Sequence, residues 1–153
     1  MADYAERFSE AIGPITEEEE KWIEVSLGSS VDLGDMESAE YKGLCEELGL
    51  DEVNTWPPCA WEIQEDAERG KFLWLHDNAG NLDGDSLVGW LQAFLRKFDR
   101  GDKVVKIGIA CTVSRPLLGE FGGRWILVTA NDAFFGSTWD DMDTKIKELS
   151  ETP

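Results

Sequence analysis

Val104–Asn131 reads VVKIGIACTVSRPLLGEFGGRWILVTAN, two apolar β-branched runs joined by a turn rich in Gly and Pro. Val, Ile and Thr dominate Val104–Val113 and return in Trp125–Thr129, and neither run has helical spacing. Arg115-Pro116 and the glycines of Gly119–Gly123 interrupt regular structure between them. The stretch is expected to be the central hairpin of an antiparallel sheet.

On its N-terminal side the same signals predict a second hairpin, with Trp61–Gln64 and Phe72–His76 as strands flanking Glu65–Gly70. Asp77–Asp85 is a polar turn. Ser86 is then expected to cap an amphipathic helix, because Leu87, Trp90, Leu91, Phe94, Leu95 and Phe98 recur at i, i+3, i+4 and i+7. Its far side carries Gln92, Arg96 and Lys97, and Asp99–Asp102 ends it. After Asn131, Ser137 or Thr138 is expected to cap a last helix through Leu149. Trp139, Met142, Ile146 and Leu149 would face inward, with Lys145 and Lys147 near the negative end of the helix dipole.

The first 58 residues read as helical. Tyr4, Phe8 and Ile12 are spaced four apart, which predicts a short helix over Asp3–Ile12 closed by Gly13-Pro14. Thr16 stands three residues before Glu19, the spacing of a capping box, and places Glu17–Glu20 in the first turn of a second helix. Trp22, Ile23 and Leu27 would be its buried side and Gly28 its stop. A third helix is expected over Asp35–Leu48, closed by Gly49, before Trp56-Pro57-Pro58 breaks the chain. The expected fold class is therefore α+β: a four-stranded antiparallel sheet of two hairpins, two amphipathic helices on one face, and a preceding acidic helical region. One domain is expected over 1–153, with 1–58 as the acidic helical region and 59–153 as the hairpin-helix-hairpin-helix core.

Charge is the strongest compositional signal. The net charge is −18, and residues 1–70 hold 20 Asp and Glu against four basic residues, Arg7, Lys21, Lys42 and Arg69. Residues 71–153 hold 12 acids against ten bases, so nearly all of the excess lies in one half. Direct binding to nucleic acid or an anionic membrane requires a basic footprint and is disfavoured. No apolar run approaches the ~20 residues that span a bilayer, and the N-terminus lacks the basic and apolar segments of a signal peptide. Cys45, Cys59 and Cys111 are odd in number and follow neither a metal nor a disulfide spacing, so a reducing cytoplasm is expected.

Candidate chemistry is sparse. His76 is the single histidine, beside Asp77 at a strand end, where a structural role outweighs a catalytic one. The turn Asp77–Asp85 imitates a calcium loop, but aligning Gly84 with the invariant glycine puts Ala79 at the first ligand position and Trp90 where the bidentate Glu is required. No catalytic residue, metal ligand or cofactor is therefore assigned. The loop Arg115–Gly123 is long for a hairpin connection and carries Arg115, Glu120 and Phe121, which makes Arg115, Glu120, Phe121, Gly122, Gly123 and Arg124 a candidate loop site. It is not a P-loop, since Gly123 opens a strand and not a helix. The carboxylates of Glu17, Glu18, Glu19, Glu20, Glu24, Glu37, Glu40, Glu46 and Glu47 form the other candidate surface. Helix-start electrostatics and simple solubility both account for some of them.

Leu91–Asp99 and Ala110–Asp132, LQAFLRKFD and ACTVSRPLLGEFGGRWILVTAND, resemble the C-terminal block of small acidic proteins of phages and other mobile elements. In that block a helix ending FLxxF precedes a strand, a TCSKPR-like segment, GEFGG, and a strand ending VTA. The similarity covers about 40 residues. This chain departs from it with Cys111 before Thr112, Arg115 in place of Lys, and Arg124 where a third Gly is usual. The resemblance implies a mobile-element setting and no mechanism.

Two functional classes follow. One is an anti-defence binding protein, anti-CRISPR or antirestriction, that mimics DNA charge and occupies the basic groove of a host nucleic-acid-binding protein or nuclease complex. The other is a module that binds or sequesters a nucleotide or phosphate through the Arg115–Gly123 loop and Arg124.

Overall fold

The computed structural model describes residues 4–28, 39–50, 58–77, 82–100, 103–113 and 122–151. In chain order they form β1 (Tyr4–Ile12), α1 (Glu17–Leu27), α2 (Ala39–Leu48), β2 (Ala60–Asp66), β3 (Gly70–Asp77), α3 (Gly84–Lys97), β4 (Val105–Val113), β5 (Gly122–Val128), β6 (Ala133–Ser137) and α4 (Thr138–Glu151). The fold is α+β on an open antiparallel sheet, but with six strands instead of four, in the order β2-β3-β1-β4-β5-β6.

Both expected hairpins are present, β4–β5 running from Val105↔Val128 to Cys111↔Gly122 and β2–β3 from Ala60↔His76 to Asp66↔Gly70. The two additional strands correct the expectation. Tyr4–Ile12 is not a helix but the strand that joins the hairpins, pairing with β4 over Tyr4–Arg7 and with β3 over Phe8–Ile12. A spacing of four puts Phe8 and Ile12 on one side of a strand as readily as on one side of a helix. The tertiary demand for a central strand decides between them. The other addition is β6, a five-residue edge strand paired with β5.

Directly opposed residues share a face of the sheet. One face collects Phe8 and Ile12, Leu73 and Leu75, Ile107 and Ile109, Ile126 and Val128, all buried. Helices α1 and α3 supply the facing layer: Trp22, Ile23 and Leu27 from one, Leu87, Trp90, Leu91, Phe94 and Leu95 from the other. Trp22 packs on Trp90 at 5.4 Å between ring centroids and on Phe94 at 6.0 Å. The buried Trp90 indole donates to Ser26 Oγ at 2.9 Å, and that hydroxyl donates to the Ile23 carbonyl at 3.2 Å. The Trp90 indole and the Ser26 hydroxyl are thus satisfied at this helix crossing, whereas the buried Trp22 indole nitrogen has no hydrogen-bond partner among the described residues.

Local chemistry explains the helix ends. Thr16 Oγ1 accepts from the Glu19 amide at 3.1 Å, and Glu19 Oε1 accepts from the Thr16 amide at 2.9 Å, the reciprocal capping box that the spacing predicts. Gly28 caps α1 through its amide to the Glu24 carbonyl, and Gly49, at φ +72°, follows α2. The third helix is described from Ala39, so the expected start at Asp35 lies outside the described residues. Helix α3 begins earlier than expected. Asp83 is its N-cap, accepting from the Ser86 amide at 3.1 Å, and Ser86 is buried inside the first turn.

The largest departure is α4. It starts where expected, but none of its residues is buried, and Trp139, Met142, Ile146 and Leu149 are 43–64% exposed. The two later helices therefore do not share one sheet face. The first turn of α4 is tied to the sheet: Thr138 Oγ1 accepts from the Gly123 amide, and Trp125 Nε1 donates to Asp141 at 3.1 Å.

Candidate functional site

The nine sequence-selected carboxylates divide into three groups. Glu17, Glu18 and Glu24 on α1, with Glu46 and Glu47 on α2, are exposed, because the same helices turn Trp22, Ile23, Leu27, Cys45 and Leu48 inward. Glu19 and Glu20 are already engaged. The Glu19 carboxylate is buried and clamped by Arg100, Nε to Oε2 at 2.7 Å and Nη2 to Oε1 at 2.8 Å. Glu20 Oε2 meets Lys71 Nζ at 2.7 Å, and this carboxylate holds the Lys71 ammonium above its usual 10.5. Glu37 lies outside the described residues, and Glu40 belongs to α2. Among the described residues, five of the nine carboxylates are therefore exposed and uncommitted to the core: Glu17, Glu18, Glu24, Glu46 and Glu47.

The candidate loop site is described at Gly122, Gly123 and Arg124, whereas Arg115, Glu120 and Phe121 lie outside the described residues. Gly123 exchanges two hydrogen bonds with Thr138 Oγ1, donating at 2.9 Å and accepting at 3.1 Å. Arg124 is an exposed β5 residue.

The second sheet face, which the sequence reading did not anticipate, carries the aromatic side chains that the core does not use. Trp74 and His76 stack on it at 3.8 Å with 23° between their planes, and Trp74 Nε1 donates to Ser9 Oγ at 2.8 Å. On the other side Trp125 leans across Gly136 of β6, so closely that a Cβ there would stand 2.2 Å from the indole. Between these two walls the floor is made of small residues, Ser9 and Ala11 of β1 and Gly108 and Ala110 of β4. Depressions of ≈ 510 Å³ beside Trp74 and His76 and ≈ 290 Å³ beside Trp125 and Leu127 mark the trough. Arg7 and Lys106 are exposed on it. The signal was present as alternation: Phe72, Trp74 and His76 fall on every second position of β3, opposite to the buried Leu73 and Leu75.

His76 is engaged in the stack. The Cys59 thiol is pushed up to about 12 by burial, reinforced by the nearby Asp77 charge and only partly offset by the His76 backbone amide. A neutral thiol is a poor nucleophile at physiological pH. No group of three or more metal-ligating side chains occurs among the described residues. No helix among the described residues is long and apolar enough to cross a membrane.

Compared with models of protein families, with curated proteins and with solved structures, the chain matches none.

Proposed function

We propose that this chain is a non-catalytic binding protein whose helix-borne carboxylates engage a basic, nucleic-acid-binding surface of another protein. In the mobile-element setting that the C-terminal block implies, the target is a host defence nuclease or CRISPR complex. The reading rests chiefly on Glu17, Glu18, Glu24, Glu46 and Glu47, exposed on two helices anchored by Trp22, Ile23, Leu27, Cys45 and Leu48. Charges held on packed elements keep their spacing, and a fixed acidic field steers encounter with a basic groove and excludes nucleic acid from it. The alternative reading, a nucleotide-binding loop at Arg115–Gly123, is weakened at Gly123, whose amide is committed to Thr138.

The deciding experiment is an assay in which the protein shields phage DNA from a host restriction or CRISPR system. Protection by the parent chain, lost on reversal of four exposed glutamates to Lys with the fold intact, supports the reading. Equal protection by the reversed variant refutes it.

A further inference from the structure

The open face of the sheet, opposite the layer of α1 and α3, is free of acids in a chain crowded with them. The sequence holds 32 Asp and Glu, yet the described residues of this face on the inner strands β3, β1, β4 and β5 include none. They do include Arg7 and Lys106, both exposed, and neither side chain enters a hydrogen bond or ion pair among the described residues. Glu62 and Asp66 belong to the outer strand β2, where Arg69 holds Asp66 at 2.7 Å. Asp77 borders the trough but is 6% exposed and opposes Phe8, so it belongs to the core side.

We propose that this face binds a small planar heteroaromatic anion of the nucleoside monophosphate class, with its ring stacked at Trp74 and His76 and its phosphate on Arg7. The indole and imidazole lie 3.8 Å apart at 23°, and the bond from Trp74 Nε1 to Ser9 Oγ at 2.8 Å fixes their orientation. Rings already held in place lose little freedom when a ligand stacks on them. Stacking asks only for a π-face and so accepts any base. The depression beside the pair measures ≈ 510 Å³, within the range of small-ligand sites. Ser9, directly opposite His76, lies on its floor, and Arg7 stands two positions along β1 on the same face, about 7 Å away. A guanidinium there offers a phosphate two parallel, charge-assisted hydrogen bonds.

Charge sets the size of the ligand. A single strand of nucleic acid brings a phosphate with every base and is repelled by a chain of −18 along its whole length. A mononucleotide brings one phosphate, which the cations of an acid-free face offset locally. Lys106, beside Trp125 on the far side of the trough, adds to that positive potential. The helical layer that carries Glu17, Glu18 and Glu24 lies on the other face of the sheet. Binding here therefore does not depend on the acidic helices having a partner.

Titration of the isotope-labelled full chain with adenosine monophosphate, followed by two-dimensional NMR, tests the proposal. Saturable shifts are expected at the Trp74 indole N–H and at the amides of Arg7, Ser9 and His76. Trp74→Ala should weaken binding about tenfold through the lost stack. Arg7→Gln, at an exposed position, should weaken it about fivefold or more while circular dichroism and melting temperature stay near the parent's. Adenosine without its phosphate should bind the parent no better than the monophosphate binds the Arg7→Gln variant. No saturable shift at these positions, affinity unchanged by Arg7→Gln, or equal affinity for adenosine would each overturn the site. A short single-stranded oligonucleotide bound far more tightly than the monophosphate would overturn its ligand class.

Discussion

Arg100 closes its guanidinium on the carboxylate of Glu19, 81 positions earlier in the chain, with Nη2–Oε1 at 2.8 Å and Nε–Oε2 at 2.7 Å. The same Nη2 donates to the Pro14 carbonyl at 2.9 Å, and the guanidinium lies 5.6 Å from the centre of the Phe94 ring. One residue just after α3 thus fastens the entry of α1 to the core, and Glu19 serves both this pair and the Thr16 capping box.

The two partners should not be equivalent in mutation. Arg100→Ala leaves a carboxylate whose side chain is only 3% exposed without its cation, and a cost of about 3 kcal/mol is expected. Glu19→Gln keeps an acceptor for the cap and strands a cation with 22% exposure, so about 1–2 kcal/mol is expected. Urea titration of both variants checks the order. A Glu19→Gln loss equal to or above that of Arg100→Ala would contradict it.

Gly136 is where Trp125 crosses to the edge strand. A methyl placed there overlaps the indole at 2.2 Å and cannot be accommodated by the flexible end of a side chain. Gly136→Ala should therefore cost about 1–3 kcal/mol by displacing Trp125 and its bond to Asp141. Trp125→Ala should make the second change nearly silent, since the clash disappears. A double-mutant cycle on thermal stability reads this coupling.

What the sequence disclosed and concealed follows from the range of each interaction. The Thr16 and Glu19 cap, the β4–β5 hairpin and the inward stripe of α3 are set by neighbours within a few positions, and all three are found as expected. Tyr4–Ile12 misled because period four fits helix and strand alike, and only its place between β3 and β4 resolves it. Ala133–Ser137 is five residues with Gly136 among them, too short to show alternation. In α4 the apolar stripe was legible, but periodicity says which side is apolar and not what covers it. The site divides in the same way. Exposure of Glu17, Glu18 and Glu24 follows from helix phase, whereas capture of Glu19 by Arg100 and Glu20 by Lys71 depends on residues 81 and 51 positions away.

Two groups make the fold sensitive to alkali. The Cys59 value of about 12 lies above its unfolded 9.0, so its contribution is complete below pH 9 and is lost as pH rises towards 12. The Lys71 value is also raised, by its hydrogen bond and ion pair with Glu20, and that contribution is lost as pH climbs through and beyond 10.5. The unfolding free energy read from urea titrations should fall between pH 9 and pH 11, by about 2–3 kcal/mol at the upper end from the Cys59 thiol. Cys59→Ala should flatten most of that decline. Thiol labelling gives a second reading: buried Cys45 and Cys59 should stay protected in the native protein at pH 8, while half-buried Cys111 reacts first. A pH profile unchanged by Cys59→Ala would rule this origin out.

The last prediction separates the acidic residues that build the fold from those proposed to meet a partner. Glu17, Glu18, Glu24 and Glu46 are exposed, so reversing all four to Lys removes no buried contact and relieves repulsion within a chain of −18. The melting temperature should stay within a few degrees of the parent's or rise, each exposed charge being worth on the order of 0.2–1 kcal/mol. Reversing Glu19 and Glu20 instead places two ammonium groups against Arg100 and Lys71 and should unfold α1. Function should split the other way. The stable four-Lys variant should lose protection of phage DNA against the defence system, since encounter and nucleic-acid exclusion both depend on the sign of the field. Raising salt should erode the parent's protection towards that of the variant. If the four-Lys protein protects as well as its parent at low salt, the carboxylates serve solubility alone.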